Sequence, residues 1–133
     1  MIIMVSQRSP YTSTIIKMRL LKSGESALIK ALLMTNSKLA EVIVPTLNTA
    51  LVEDMDDGGM GSLRFKSCAT DAGRRLGRTV AEAEFLDEDA VPVSVELNLD
   101  EHSQLFELDV WKFDYSPVSR LPDRGQVVIK GRI

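Results

Sequence analysis

The sequence predicts an α+β fold, with short N-terminal helices packed on one face of an antiparallel β-meander of about five strands. Three observations predict it. Apolar residues recur at helical spacing only between residues 23 and 43. From about residue 48 the pattern shifts towards an apolar–polar alternation, the period of a half-buried strand. Short acidic or glycine-rich segments then interrupt that alternation at hairpin intervals. A chain of 133 residues fits one such domain and is long enough to bury a real core.

Residues 1–17 read as a loose leader, residues 18–122 as the single domain, and residues 123–133 as a tail. The apolar start, Met1 to Val5, is too short for a secretory signal, and the following Ser6 to Thr14 is polar with Pro10 inside it. A helix is expected after Ser23, with Ser23 as N-cap and Glu25 in the first turn, where a negative charge suits the helix dipole. Ala27, Leu28, Ala31 and Leu32 form its apolar stripe. A second short helix starts from a cap at Asn36 or Ser37, carries Leu39, Ala40 and Ile43, and is limited by Pro45.

Strands are expected over 50–54 and 62–66, joined by the loop Met55 to Gly61. Residues 68–78 read as a polar loop holding Gly73, Gly77 and three arginines. Further strands are expected near 79–86, 90–99 and 104–113, with turns at 87–89 and 100–103. Residues 126–133 could add an edge strand.

The alternation assigns faces. The core side takes Leu63 and Phe65; Ala81, Ala83 and Phe85; Val91, Val93, Val95, Leu97 and Leu99; and Phe106, Leu108 and Val110. A slip of one residue would send all of them to water. Loops of three and four residues would set Ala83 opposite Val93, Val95 opposite Leu108 and Leu97 opposite Phe106.

The other face then carries Glu82, Glu84, Ser94, Glu96, Asn98, Glu107 and Asp109. In this register Glu96 falls opposite Glu107, with β-carbons about 5 Å apart. Such a pair calls for an internal cation, a raised pKa or a bound cationic partner. Arg64, Lys66, Arg74, Arg75 and Arg78 are the internal candidates. Strict alternation also puts Trp111 and Phe113 beside the acids. Burial within the chain, through a bulge near 110 or a cover by the tail, is the default expectation, and an aromatic anchor for a partner is the other.

Composition narrows the classes of function. The net charge of −3 offers no general attraction for nucleic acid or an anionic membrane. Cys68 is the single cysteine, so no internal disulfide forms and a reducing, cytoplasmic setting is expected. The single histidine, His102, lies far from it in a predicted turn, so no Cys–His nucleophile pair is suggested. No run approaches the ~18 apolar residues of a membrane span.

The segment Val52 to Gly61 holds Asp54, Asp56 and Asp57 among three glycines. Asp54 and Asp56 are spaced as in an EF-hand loop, but Gly58 and Phe65 occupy later ligand positions, so that reading fails. No P-loop lysine supports a phosphate cradle. A hairpin turn is the plain reading, with the glycines at positive φ and the aspartates bonded to backbone amides. A carboxylate metal site at Asp54, Asp56 and Asp57 and a partner contact are the functional ones.

Val52 to Phe65, Ala81 to Val95 and Leu105 to Pro117 together resemble a family of small uncharacterised bacterial proteins, over roughly residues 18–122. The motifs E-D-M-D-D-G-G-M-G-S-L-R-F and L-F-E-L-D-V-W-K carry the resemblance, which implies no established activity. The chain departs from it at Ala90, where the resemblance calls for a turn glycine. Compact proteins of this kind sometimes serve as immunity proteins or other partner-binding modules.

No catalytic set is recognisable and no cofactor is implied. The leading expectation is a non-enzymatic interaction module whose partner is another protein. The contact residues would be Asp56, Asp57, Glu84, Glu96, Glu107, Asp109 and Trp111. An immunity-like inhibitor of a basic toxin would be one instance. The alternatives are a metal-dependent or carboxylate-based hydrolase and a small-ligand sensor with a pocket between helices and sheet. Homo-oligomerisation stays open.

Overall fold

The computed structural model describes residues 2–6, 15–66, 73–122 and 126–131. In chain order these residues form β1 (Ile2–Ser6), β2 (Ile15–Leu20), α1 (Ser23–Leu32), α2 (Ser37–Ile43), a 3₁₀ turn (Val44–Thr46), β3 (Leu51–Asp54) and β4 (Leu63–Phe65). Then follow β5 (Leu76–Leu86), β6 (Pro92–Asp100), β7 (Leu105–Lys112) and β8 (Val128–Gly131). The α+β class therefore holds.

The strand count differs from about five. Among the described residues eight strands form one sheet in the order β1-β2-β3-β4-β7-β6-β5-β8. Every neighbouring pair is antiparallel. Part of the expected loose leader is strand, because Ile2–Ser6 pairs with Ile15–Leu20. The tail does supply an edge strand, β8, on β5.

The sheet is not one meander. β4 pairs with β7 rather than with β5, and Arg74 explains how that junction closes. Its guanidinium donates to the carbonyls of Phe65 at the end of β4 (2.8 Å) and Leu105 at the start of β7 (2.6 Å). It also pairs with Asp100 at the end of β6 (3.0 Å). One buried cation thus ties three strand ends and satisfies two edge carbonyls.

α1 begins with Lys22 rather than Ser23 at the N-cap, and only the Glu25 half of a capping box is present, because a lysine side chain has no acceptor. The Glu25 carboxylate accepts the Lys22 backbone N–H at 2.8 Å and is itself gripped by Arg19 at 2.8 Å. α2 is capped by Asn36, whose side chain accepts from Leu39 N–H. One buried cluster joins Leu28, Ile29, Leu32, Leu33, Ile43 and Leu47 from the helical part with the inward residues of the strands.

The inward set is largely the one that alternation assigns. Leu63, Phe65, Ala81, Ala83, Phe85, Val93, Val95, Leu97, Leu99, Leu108 and Val110 are all buried. The register is corrected by two residues in both hairpins. Ala83 faces Val95 and Phe85 faces Val93, across a turn that spans 87–91 rather than 87–89. Val95 faces Val110 and Leu97 faces Leu108. A slip of two preserves the face of every side chain, so the core forms regardless.

Val91 and Phe106 are the exceptions: Val91 falls in the 87–91 turn and is only half-buried, and Phe106 is displaced by a bulge. The register shifts between Asn98 and Leu99, so Phe106 is the extra residue of a bulge opposite them. It is half-buried, and the Arg64 and Arg74 guanidinium carbons lie 6.0 and 5.3 Å from its ring centroid. Cys68 lies outside the described residues.

Candidate functional site

The outer face is built by β4, β7, β6 and β5. The corrected register places Glu82 opposite Glu96 and Glu96 opposite Asp109. Three carboxylates therefore cross three strands in a row. The expected Glu96–Glu107 pair does not form. Glu107 instead faces Asn98 on β6 and Arg64 on β4.

Arg64 neutralises Glu107, with Nη2 2.6 Å from Oε2. Glu84 has the weaker company of Lys130 on β8, at 4.0 Å. The other expected internal cations do not reach the row. Arg74 is committed to Asp100, Arg75 and Arg78 are exposed, and Lys66 makes no ion pair with the row. Among the described residues no ion pair reaches Glu82, Glu96 or Asp109.

Asp109 registers the consequence. Burial pushes its carboxyl up, the Glu107 and Glu96 charges push it further, and the Asn98 amide opposes them, which leaves it raised to about 6. Asn98 Nδ2 donates to Asp109 Oδ2 at 2.6 Å, and Thr79 Oγ1 donates to Asn98 Oδ1 at 2.7 Å.

Beyond the row, the outer face turns apolar. Trp111 is opposite Ser94, and Phe113 N–H donates to the Pro92 carbonyl at 3.0 Å. The default expectation of burial is overturned: Trp111, Phe113 and Tyr115 are 46, 45 and 67 % exposed. Their rings form one patch, with centroids 5.3 Å (Trp111–Phe113) and 6.0 Å (Trp111–Tyr115) apart.

Lys112 is the reason they face outward. Alternation sends its side chain inward, where it is fully buried. Its ammonium donates to Asp87 at 2.9 Å and Asp89 at 2.7 Å. The sequence reading missed this pair, although period two places Lys112 on the inner face next to the acidic turn at 87–89. Burial pushes Asp87 up, but the Lys112 ammonium and the N–H groups of Ser119 and Glu88 outweigh it and hold the carboxyl down at about 2.

The Asp/Gly loop is largely occupied with itself. Asp57 accepts N–H bonds from Met60 (3.1 Å) and Ser62 (2.9 Å). Gly58, Gly59 and Gly61 adopt positive φ, as a tight turn requires. Val118 N–H donates to the Gly59 carbonyl, so the loop packs on the segment after β7. Asp54 pairs with Arg19 at 2.7 Å, and that hydrogen bond holds its carboxyl below the usual range. Asp56 is exposed. Asp54 and Asp57 thus face different partners, and among the described residues no three His, Cys, Asp or Glu side chains converge as a ligand set.

An open cleft of about 510 Å³ lies between the helices, lined by Lys30, Leu33, Met34, Ala40 and Val44 among others. It is formed by α1, α2 and the 3₁₀ turn, not by helices and sheet as the sensor alternative requires. No described helix is long and apolar enough to cross a membrane.

No curated protein and no solved structure matches the chain. Residues 18–122 match a domain of unknown function, DUF6984. The match covers the residues over which the resemblance to an uncharacterised family runs, and the chain belongs to this family.

Proposed function

We propose that this protein is a non-enzymatic interaction module that docks a basic protein partner on the outer face of its sheet. The observation that carries the reading is the row Glu82–Glu96–Asp109, three carboxylates on adjacent strands reached by no described cation. Carboxylates facing each other across strands repel. A partner that places ammonium or guanidinium groups over the row relieves that repulsion, which no cation among the described residues does. The contact set is Glu82, Glu84, Glu96, Glu107, Asp109 and Trp111. An immunity-like inhibitor of a basic toxin would use such a face to speed encounter and select its partner. The self-bonded Asp57 gives the Asp/Gly loop less to offer.

The carboxylate-hydrolase alternative keeps one supporting observation, the raised Asp109 beside Glu107. That pair lies on a sheet face, and the residues lining the helical cleft do not include it.

The test uses a defined probe. A lysine-rich peptide titrated calorimetrically into the native protein should bind at low salt and release as salt rises. Glu82→Lys combined with Glu96→Lys should abolish binding while circular dichroism stays native. Binding that survives the reversal, or no binding by the native protein, defeats the reading.

A further inference from the structure

The acidic row occupies only part of the outer face. One residue pair along the strands, about 7 Å away, Trp111 stands opposite Ser94, with Glu84 on the far side of Ser94, and a second pair on, about 14 Å from the row, the same face is apolar. Leu86 on β5, opposite Pro92 on β6, is 64 % exposed, and Trp111, Phe113 and Tyr115 continue the surface from β7. This aromatic end is held in place. Lys112 is locked inward by Asp87 and Asp89, so Trp111 and Phe113 on either side must project outward. Tyr115 takes a left-handed conformation, φ 63°, and its N–H donates to the Lys112 carbonyl at 2.9 Å. That turn sets the third ring against Trp111. A non-glycine residue in this region is held there by its surroundings, and such positions gather at functional surfaces.

We propose that the aromatic end is the anchoring half of the docking surface. Its occupant is a protein segment with two adjoining zones. An apolar side chain sits on Trp111 and Phe113, and the following lysine or arginine residues lie over Glu82, Glu96 and Asp109. The proposal rests on the interaction reading above and adds what the partner must look like. Charge complementarity selects this occupant. A second copy laid fully face to face would set carboxylates against carboxylates, and an acidic segment would be repelled. A purely basic segment would leave the aromatic patch open to water. Exposed aromatic side chains fixed on a rigid element are the usual energetic centre of a protein interface.

Trp111 is the only tryptophan, so its emission reports occupancy directly. Three peptides separate the contributions: Leu-Leu-Ser-Lys-Ser-Lys, Ser-Ser-Ser-Lys-Ser-Lys and Leu-Leu-Ser-Glu-Ser-Glu. The first should shift Trp111 emission to the blue and bind most tightly. The second should bind roughly tenfold more weakly without the shift, and the third should not bind. Phe113→Ser and Tyr115→Ser, checked for native circular dichroism, should cost the first peptide about tenfold and leave the second unchanged.

Equal binding of the two lysine peptides, or an unchanged affinity in both serine variants, overturns the anchor while leaving the acidic face standing. Failure of every lysine peptide, measured by heat as well as emission, defeats the underlying reading too. A blue shift that grows with protein concentration alone, with dimers in sedimentation, assigns the patch to a second copy and also overturns the proposal.

Discussion

Asp87 lies on the inner side of the sheet's end and Asp109 on its outer side, and degree of burial alone would rank their charges wrongly. Asp87 is the more deeply buried, yet it is held at about 2. Asp109 is half-buried and is pushed up to about 6. The difference lies in the company. Asp87 meets one ammonium and three backbone N–H groups, from Glu88, Ser119 and Arg120. Asp109 meets two carboxylates and one amide. The inner site carries its own cation and fixes structure; the outer site meets no cation among the described residues, which makes it the candidate for binding.

The largest expected effect breaks the inner site. Asp87→Ala leaves the Lys112 ammonium with Asp89 alone and frees three backbone donors, and should cost about 3–5 kcal/mol, the range for removing one partner of a buried pair. Asp87→Ala combined with Lys112→Met should recover much of that loss in urea titrations. If the double variant is no more stable than the single one, the inner pair is not what holds this end together. The pH dependence follows from sign. Asp87 has a native pKa below its unfolded value of about 3.9, so its contribution is complete above pH ~4 and is lost as pH falls towards ~2.

Asp109 has the opposite sign. Its native carboxyl binds its proton more tightly than the unfolded chain does, so stability falls as pH rises from about 4 to about 6. Solvent screening at this half-buried position reduces the full linkage to about 1 kcal/mol. Asp109→Asn should therefore leave stability at pH 4 nearly unchanged and raise it by about 1 kcal/mol at pH 7. Denaturant midpoints at the two pH values check this. An equal change at both would mean that Asp109 is not repelled by its neighbours.

The two sites also differ in how far the sequence revealed them. Alternation placed every outer carboxylate on the correct face, because face depends only on odd or even position. Register depends on the turns, and there the reading slipped by two. Asp87 N–H bonds the Val91 carbonyl, and the Asp87 carboxylate is drawn inward by Lys112, so the first turn lengthens to span 87–91. The longer first turn sets Glu82 opposite Glu96, and an equal shift in the second hairpin moves Glu96 from Glu107 to Asp109. The β4–β7 junction was illegible for another reason. It rests on Arg74 reaching carbonyls far from it in sequence, which no local pattern encodes. Pairing of Ile2–Ser6 is equally non-local, since a short apolar run does not announce its partner.

The smallest expected effect lies in the turn that separates the two sites. Ala90 has φ 64°, a left-handed conformation, and its N–H donates to the Asp87 carbonyl at 2.9 Å. This is the position where the family resemblance called for glycine, and the backbone supplies the reason. A side chain here costs roughly 1–2 kcal/mol against glycine in the folded state. Glycine returns about 0.4–1 kcal/mol of that through the greater freedom of its unfolded chain. Ala90→Gly should therefore stabilise the protein by about 0.5 kcal/mol, as the difference of those two effects. Ala90 is exposed, so no packing contact is lost to obscure the result. Ala90→Val is the control: a β-branched residue tolerates positive φ poorly and should destabilise. If glycine and valine shift the urea midpoint in the same direction, the turn at 87–91 is not as described. The register it sets, and with it the row Glu82–Glu96–Asp109, would then have to be redrawn.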